Sequence, residues 1–334
     1  MFDIITIGSA TKDNFLKIPI LVFYNDKKKF ITGKGICFSL GAKITASEFK
    51  TFSGGSAANT ALTFSRQGLK TAAIFRIGND FFGKELIEEA EKEKIETKFV
   101  QKDKNLPTAQ SIIFLTPKGE RTIVSYKGAG EYLSFDEIVK GGLKTKWLFL
   151  GSLGKEKNIL TKIIKYGAEN HIFLATNPGA REIAFLKDNP GWLNKFKIFI
   201  CNQEEASYLT DISFHQEKKI FQKLDDLIKG VVVMTKGDRG VSVSDGHYLW
   251  QAEALRLSKV KDKTGAGDAF ASAFVSVFVK AGEISENLIK EAIQLAIFNS
   301  GSVVSQLGAK AGIMEKTDFK KNDFQKIKVN KKLL

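Results

Sequence analysis

Lys261-Asp262-Lys263-Thr264-Gly265-Ala266-Gly267-Asp268-Ala269-Phe270 is the stretch on which the reading of this chain turns. A small-residue turn over residues 264–267 runs straight into residues 269–281, which are apolar enough to form a buried helix. The backbone N–H groups of Gly265, Ala266 and Gly267 would then point from a helix N-terminus at one spot. That geometry binds anions and stabilises developing negative charge. Asp268 falls in the first turn beside the same spot, where the helix dipole favours the ionised carboxylate that a general base needs. Taken alone, these residues read equally as an ordinary N-cap with glycine for close packing.

Upstream of this turn, strand-like and helix-like runs alternate. Residues 2–8, 70–77, 147–150, 171–175, 197–201 and 231–235 are apolar or β-branched strand candidates, and helical periodicity at residues 56–67 and 82–94 falls between them. The alternation predicts an α/β protein, a largely parallel sheet with helices on both faces. Two segments break it. Residues 14–52 carry turn signals at Asn25-Asp26 and at residues 32–35 but no long helix, and residues 107–127 read as a hairpin of strands 110–115 and 121–126. These pieces are read either as pairing in a small antiparallel sheet beside the main domain or as two unrelated edge decorations. Residues 316–334, rich in lysine, read as a frayed tail.

Three further motifs sit where strands end. Gly54-Gly55-Ser56-Ala57-Ala58-Asn59 offers a close-approach loop, with Asn59 in the first turn of the helix behind it. Asn202-Gln203-Glu204-Glu205 opens a helix after residues 197–201 and reads as a capping box. It also places Glu205 where it could hold a Mg²⁺-bound water and Asn202 near a phosphate oxygen. Thr235-Lys236-Gly237-Asp238-Arg239-Gly240 follows the strand 231–235, at the end of a sheet where ligands bind in open α/β folds. No GxGxxG occurs. A near-miss P-loop at residues 78–85 puts Glu85 where a Mg²⁺-binding hydroxyl belongs, so it reads as a turn with Asp80 at a helix start.

The chain has 334 residues and a formal charge of +14, from 45 Lys and 6 Arg against 37 acidic residues. Arg is the residue that grips phosphate and guanine bidentately, so a Lys-dominated excess reads as solvated surface rather than a nucleic-acid footprint. Cys37 and Cys201 form no CxxC unit, no run approaches the ~20 apolar residues of a membrane span, and the N-terminus reads as a strand rather than a signal peptide. A cytoplasmic protein with no membrane or nucleic-acid partner is expected.

Together the motifs resemble those of the ribokinase-like (PfkB) kinases of sugars and nucleosides, in the family's order and across nearly the whole chain. GGSAANTA followed by Gly68 and Gly78 is similar to the N-terminal signature, and DKTGAGDAF to the C-terminal one. The resemblance implies a three-layer ribokinase-like fold of residues 1–13, 53–106 and 128–334, with a discontinuous β lid of residues 14–52 and 107–127. It implies transfer of the γ-phosphoryl of Mg-ATP to a sugar hydroxyl, with a nucleoside as the alternative acceptor. Asp268 would be the base and the amides of Gly265, Ala266 and Gly267 the anion hole. Asp13, Gly54, Gly55, Asn59 and Ser111 would hold the substrate, with Ile113 nearby. Asn202, residues 235–240 (Thr235, Lys236, Gly237, Asp238, Arg239 and Gly240) and Asn299 would bind ATP, and Glu205 would hold Mg²⁺ through water. Asp262, Thr264, Val303 and Gly308 lie where a K⁺ site would be. Lys263 departs from the family pattern there, as does the missing lysine in GGSAAN that ribokinases often carry. A homodimer through the lid is also implied. A non-catalytic ligand or nucleic-acid binder on the same fold is the reading from another class; absent phosphotransfer with salt-steep DNA binding would mark it.

Overall fold

The computed structural model describes residues 1–19, 22–30, 33–116, 121–321 and 324–334. In chain order the strands are β1 (Phe2–Ile7), β2 (Thr11–Lys17), β3 (Val22–Asn25), β4 (Lys34–Cys37), β5 (Glu48–Gly54), β6 (Thr71–Ile74), β7 (Arg76–Gly78), β8 (Gln101–Asp103), β9 (Gln110–Leu115), β10 (Arg121–Tyr126), β11 (Thr145–Leu150), β12 (Phe173–Thr176), β13 (Ile198–Asn202), β14 (Val231–Thr235), β15 (Val241–Ser244), β16 (Tyr248–Ala252) and β17 (Asn330–Leu333). The helices are α1 (Ser56–Arg66), α2 (Phe81–Lys92), α3 (Phe135–Lys140), α4 (Ile159–Glu169), α5 (Ala180–Asp188), α6 (Gln203–Thr210), α7 (Glu217–Leu227), α8 (Ala266–Ala281), α9 (Glu286–Val304) and α10 (Lys316–Lys321).

The large sheet runs β17-β16-β15-β14-β13-β12-β11-β1-β6. From β6 to β14 its neighbours are parallel; β15, β16 and β17 continue it antiparallel. Strand side chains alternate between two buried faces, as a period of two requires. Ile5, Leu148, Leu174, Phe199 and Val232 pack with α4, α5, α6 and α7. Ile4, Phe149, Ile198, Ile200 and Val233 pack with α8 and α9. Helices on both sides of the sheet make three layers. In α8, Phe270, Phe274 and Phe278 recur every four residues, and their ring centroids lie 6.2 and 5.2 Å apart.

The segment 70–77, expected as one strand, breaks at Phe75 into β6 in the large sheet and β7 in a separate parallel pair with β8. Asp80 caps α2 as anticipated, accepting from the Gly83 amide at 2.8 Å.

The small sheet is ordered β10-β9-β2-β5. Its two hairpins are antiparallel within themselves, but β2 and β9 pair in parallel, with Lys12 opposite Gln110. The sheet is therefore mixed, not antiparallel. The reason is that each hairpin contributes its first strand to the seam, and the two first strands run in the same direction. Asn25-Asp26 does mark a turn, in which the Asp26 carboxylate accepts from the Lys28 amide at 2.8 Å and the β3–β4 pair is closed. Thr32 and the hairpin connection 117–120 lie outside the described residues.

The C-terminal segment is not a frayed tail. Its described residues form α10, a 3₁₀ turn at Phe324–Lys326 and β17. Phe319 and Phe324 are buried against the α8–α9 layer, and the Gln294 amide of α9 donates to the carbonyls of Gln325 and Ile327 at 2.8 and 2.7 Å. The lysine content hid two aromatic anchors. Phe319→Ala should therefore lower the unfolding free energy by about 3 kcal/mol in urea titration. An unchanged midpoint would return the segment to the status of a tail.

Candidate functional site

The site starts at the N-terminus of α8. Its N-cap, Gly265, has φ 76°, and a Cβ there would lie 2.6 Å from the Ala309 Cβ. Only glycine allows both the left-handed turn and that approach. Among the described residues, the amides of Gly265 and Gly267 have no protein acceptor, and the Ala266 amide makes only a 3.4 Å bond to the Lys263 carbonyl. First-turn amides have no partner within their own helix, so they are available to an anion.

Asp268 lies in that first turn, and its carboxylate accepts from the Asn59 Nδ2 at 2.8 Å. Burial pushes its pKa up to about 6, against the opposing effect of the Asn59 bond. Asn59 sits in α1 and is 3% exposed; its Oδ1 is buried with no partner. Its position therefore does two things: the amide nitrogen orients Asp268, and the amide oxygen is left for a donor that the protein does not supply.

Across from α8, the small sheet brings Asp13 on β2 opposite Phe52 on β5 and Ser111 on β9. Asp13 is 5% exposed, and a Cβ on Gly54 would fall 2.4 Å from its Oδ2. Burial raises the Asp13 pKa and the nearby Asp262 carboxylate adds to the rise; the Ser111 hydroxyl and the Lys127 charge oppose it. Gly55 is the N-cap of α1. Ile113, one row along β9 from Ser111, is buried.

A cavity of about 300 Å³ opens beside the α8 N-terminus. Thr235, Gly237, Asp238 and Gly240 from the β14–β15 turn line it, together with Ala266 and Gly267. Lys236 and Arg239 of the same turn face a neighbouring cavity of about 600 Å³. There Lys236 bonds Ser242 at 2.8 Å and pairs with Glu217, and Arg239 donates to the Gln203 carbonyl oxygen of the side chain. Asn299 stands apart from both. It is fully buried, donating to the Ala269 carbonyl at 2.9 Å and accepting from the Met314 amide at 3.0 Å, so it ties α9 to α8.

The walls of the smaller cavity also include Leu255, Val260, Ile297 and Ser300, none of which the motifs single out. Apolar residues lining a cavity look like core in a sequence, so no signal marks them. Asn177 is another omission: its Oδ1 lies 3.9 Å from where a Gly267 Cβ would be, and its Nδ2 donates to the Ile200 carbonyl at 3.2 Å. Asn-Pro directly after a strand was the available clue.

Asn202 and Glu205 form the capping box. The Asn202 Oδ1 accepts from the Glu205 amide, and the Glu205 Oε2 accepts from the Asn202 amide, each at 2.8 Å. Burial raises the Glu205 pKa, with the Asn202 amide opposing. The other Glu205 oxygen has no hydrogen-bond partner among the described residues. No group of three His, Cys, Asp or Glu occurs at metal-binding spacing among the described residues.

The residues of the expected K⁺ site are already engaged. The Asp262 Oδ1 accepts from the Thr264 amide at 2.9 Å and from the Arg121 guanidinium, and its Oδ2 accepts from the Gly308 amide at 3.1 Å. The Val303 carbonyl accepts from the Gln306 amide at 3.0 Å. A fixed cation already faces the carboxylate, so these residues do not fit a monovalent metal ion.

The model of the pfkB family carbohydrate kinases matches residues 34–316. A deoxyribokinase of Salmonella typhi is 26% identical over 264 residues, 78% of this chain and 85% of its own length. The ribokinase of Giardia lamblia superposes with a TM-score of 0.78 at 20% identity, over 96% of this chain and 99% of the other. Arabidopsis thaliana ribokinase, in a structure complexed with ribose and ATP, superposes with a TM-score of 0.75 at 22% identity, over 97% and 99%.

The elevated pKa of Asp268 has a sign that can be read in a melting curve. The folded state holds this proton up to about pH 6, whereas an unfolded aspartate releases it near 3.8. Ionisation of this group thus opposes folding above pH 6, and the cost fades as pH falls toward 4. Asp268→Asn should raise Tm by about 2–4 °C at pH 7.5, with the difference shrinking below pH 6. A lowered Tm at pH 7.5 would mean that the carboxylate is a net stabiliser instead.

Proposed function

Because the chain belongs to the pfkB family of carbohydrate kinases, we propose that it moves the γ-phosphoryl group of Mg-ATP to a hydroxyl of a small sugar. The observation that carries the reading is the placement of Asp268, oriented by Asn59, in the same helical turn as the uncommitted amides of Gly265 and Gly267. A base and an anion-binding turn side by side are what an alcohol-to-phosphate transfer requires.

In this mechanism Asp268 takes the proton from the acceptor hydroxyl as its oxygen attacks the γ-phosphorus. The bond to the bridging oxygen breaks and ADP leaves. The residue 265–267 amides (Gly265, Ala266 and Gly267) stabilise charge on the transferred group. Asp13 and the free Oδ1 of Asn59 bind hydroxyls of the sugar, with Gly54, Gly55 and Ser111 shaping its pocket. Thr235, Gly237, Asp238 and Gly240 flank the nucleotide, and the apolar wall formed by Leu255, Val260 and Ile297 suits a base. Glu205 has one free oxygen for a water on Mg²⁺, which neutralises phosphate charge when bound; one carboxylate plus phosphates is an ordinary Mg²⁺ environment. The small sheet acts as a lid that covers the sugar and excludes water, which limits hydrolysis of ATP.

The test is ATP consumption with ribose, deoxyribose, fructose and a set of nucleosides. Turnover on a sugar that stops when EDTA removes Mg²⁺, and kcat/KM rising with pH through about 6, are expected. Asp268→Asn should reduce kcat by at least ~10²-fold. Turnover on nucleosides alone would replace the sugar as acceptor, and a fully active variant would remove Asp268 from the chemistry.

The outer face of the lid carries Phe49 on β5, Ile112 on β9 and Val124 on β10, 64%, 41% and 56% exposed, on one side of the sheet. A second copy covering this face gives a homodimer. Sedimentation should show a dimer that Phe49→Lys dissociates; a monomeric parent protein would end this part of the proposal.

A further inference from the structure

Arg121 is one of only six arginines, and it lies on β10 at the rim of the small sheet. Its side chain crosses to the loop that precedes α8. There Nη1 donates to the Asp262 carboxylate and, at 2.7 Å, to the Thr264 hydroxyl. Asp262 is almost completely covered, its side chain 2% exposed against 28% for Arg121. Both of its oxygens work on the loop: one takes the Thr264 amide at 2.9 Å and the Thr264 hydroxyl at 2.7 Å, the other the Gly308 amide at 3.1 Å. Thr264 is the residue immediately before the Gly265 cap.

A buried carboxylate needs a counter-charge, since leaving it unpaired costs its full desolvation. Asp13, on β2 of the same small sheet, feels the negative charge of Asp262 directly. The guanidinium therefore sits between the sheet that carries Asp13 and the loop that carries the anion-binding turn. Phe52 of β5 reinforces the same junction: its ring packs where a Cβ on Gly308 would lie 2.8 Å away.

We infer that Arg121 is the resident cation of this loop, a positioning residue that neutralises Asp262 in place of a monovalent metal ion and makes alignment of the Gly265–Gly267 turn depend on the small sheet being closed. The inference rests on the kinase reading above for its catalytic consequence. Its structural part, that Asp262 relies on Arg121 for charge, stands independently. When the sheet lifts away, the guanidinium leaves with it and Asp262 is stranded, so the turn loses its anchor until the lid returns. Charge is thereby supplied to the loop only in the closed arrangement, when the sugar is covered. Lys263, exposed and lining the nucleotide cavity, does not serve this purpose, because it makes no bond to Asp262.

The experiment compares the unmodified protein, Arg121→Ala and Arg121→Lys in buffers of choline, Na⁺ or K⁺ chloride at equal ionic strength, reading Tm and steady-state kinetics. The unmodified protein should show Tm and kcat independent of the cation within about twofold, because the site is filled. Arg121→Ala should lose ~10-fold or more in kcat with a smaller change in KM for ATP, and should regain part of it with K⁺ or with guanidinium ion. Its Tm should rise with either cation, whereas the Tm of the unmodified protein should not. Arg121→Lys keeps the charge and loses the fork, so it should stay independent of K⁺ with intermediate kcat. The inference is overturned if the unmodified protein needs K⁺, or if Arg121→Ala turns over normally and its Tm ignores both cations. Absence of phosphotransfer by the unmodified protein on every acceptor would instead sink the kinase reading, and the melting data would still decide whether Arg121 is the charge partner of Asp262.

Discussion

A buried helix that begins in a left-handed glycine sets the geometry of everything around it. Phenylalanines 270, 274 and 278 lock α8 against the large sheet, each burial contributing about 2–3 kcal/mol. The helix cannot shift along its axis without unpacking that row. Its first turn is therefore a fixed platform, and Asp268 inherits the rigidity. The 2.8 Å bond from Asn59 then ties α1 to the same platform, while Asn299 and Ser300 tie α9 to it through the carbonyls of Ala269 and Ala266. The distant α1 and the next helix, α9, thus both meet α8 within one turn of its backbone.

Much of this is legible in the amino-acid sequence. Gly-Ala-Gly-Asp ahead of an apolar run specifies both the helix and the glycine turn that opens it, because backbone chemistry and periodicity are local properties. The strand candidates at 231–235 and 110–115 were equally plain, since β-branched runs between turn residues have few other uses. What escaped has a common cause. Arg121 is an unremarkable surface-strand residue in the sequence; only register and sheet placement bring it to Asp262, 141 positions away. Leu255, Val260 and Ile297 look like core, because an apolar wall of a cavity and an apolar wall of a protein obey the same rule. Asn299 is placed at the nucleotide by the resemblance alone; its side chain bonds the backbone through both of its polar groups, a tertiary pairing that no local pattern encodes. The parallel seam between β2 and β9 is a long-range matter that no turn signal encodes.

The charge excess also has a spatial reading. Lys263 lines the smaller cavity, and Lys236, Arg239, Arg256 and Lys328 surround the larger one beside it. Fields from such groups raise the local concentration of polyanions, though physiological salt confines the effect to about 8 Å. The basic balance of the chain thus matters chiefly along the approach to the cavities, and elsewhere it keeps the surface hydrated.

The large sheet ends in two different ways. On one side, the outer edge of β6 is occupied by the backbone of Glu96, whose amide and carbonyl bond Thr71 and Ala73 at 3.0 and 3.1 Å. On the other, β17 carries Lys331 and Lys332 in exposed positions, with the Lys331 ammonium drawn over the Tyr248 ring. An unpaired strand edge is a template for adding a foreign strand, and lysines along it repel an identical neighbour. One rim is plugged and the other is electrically guarded. Continuous ribbons of sheet running from molecule to molecule, the route by which open-edged proteins form fibres, are closed to this fold at both ends.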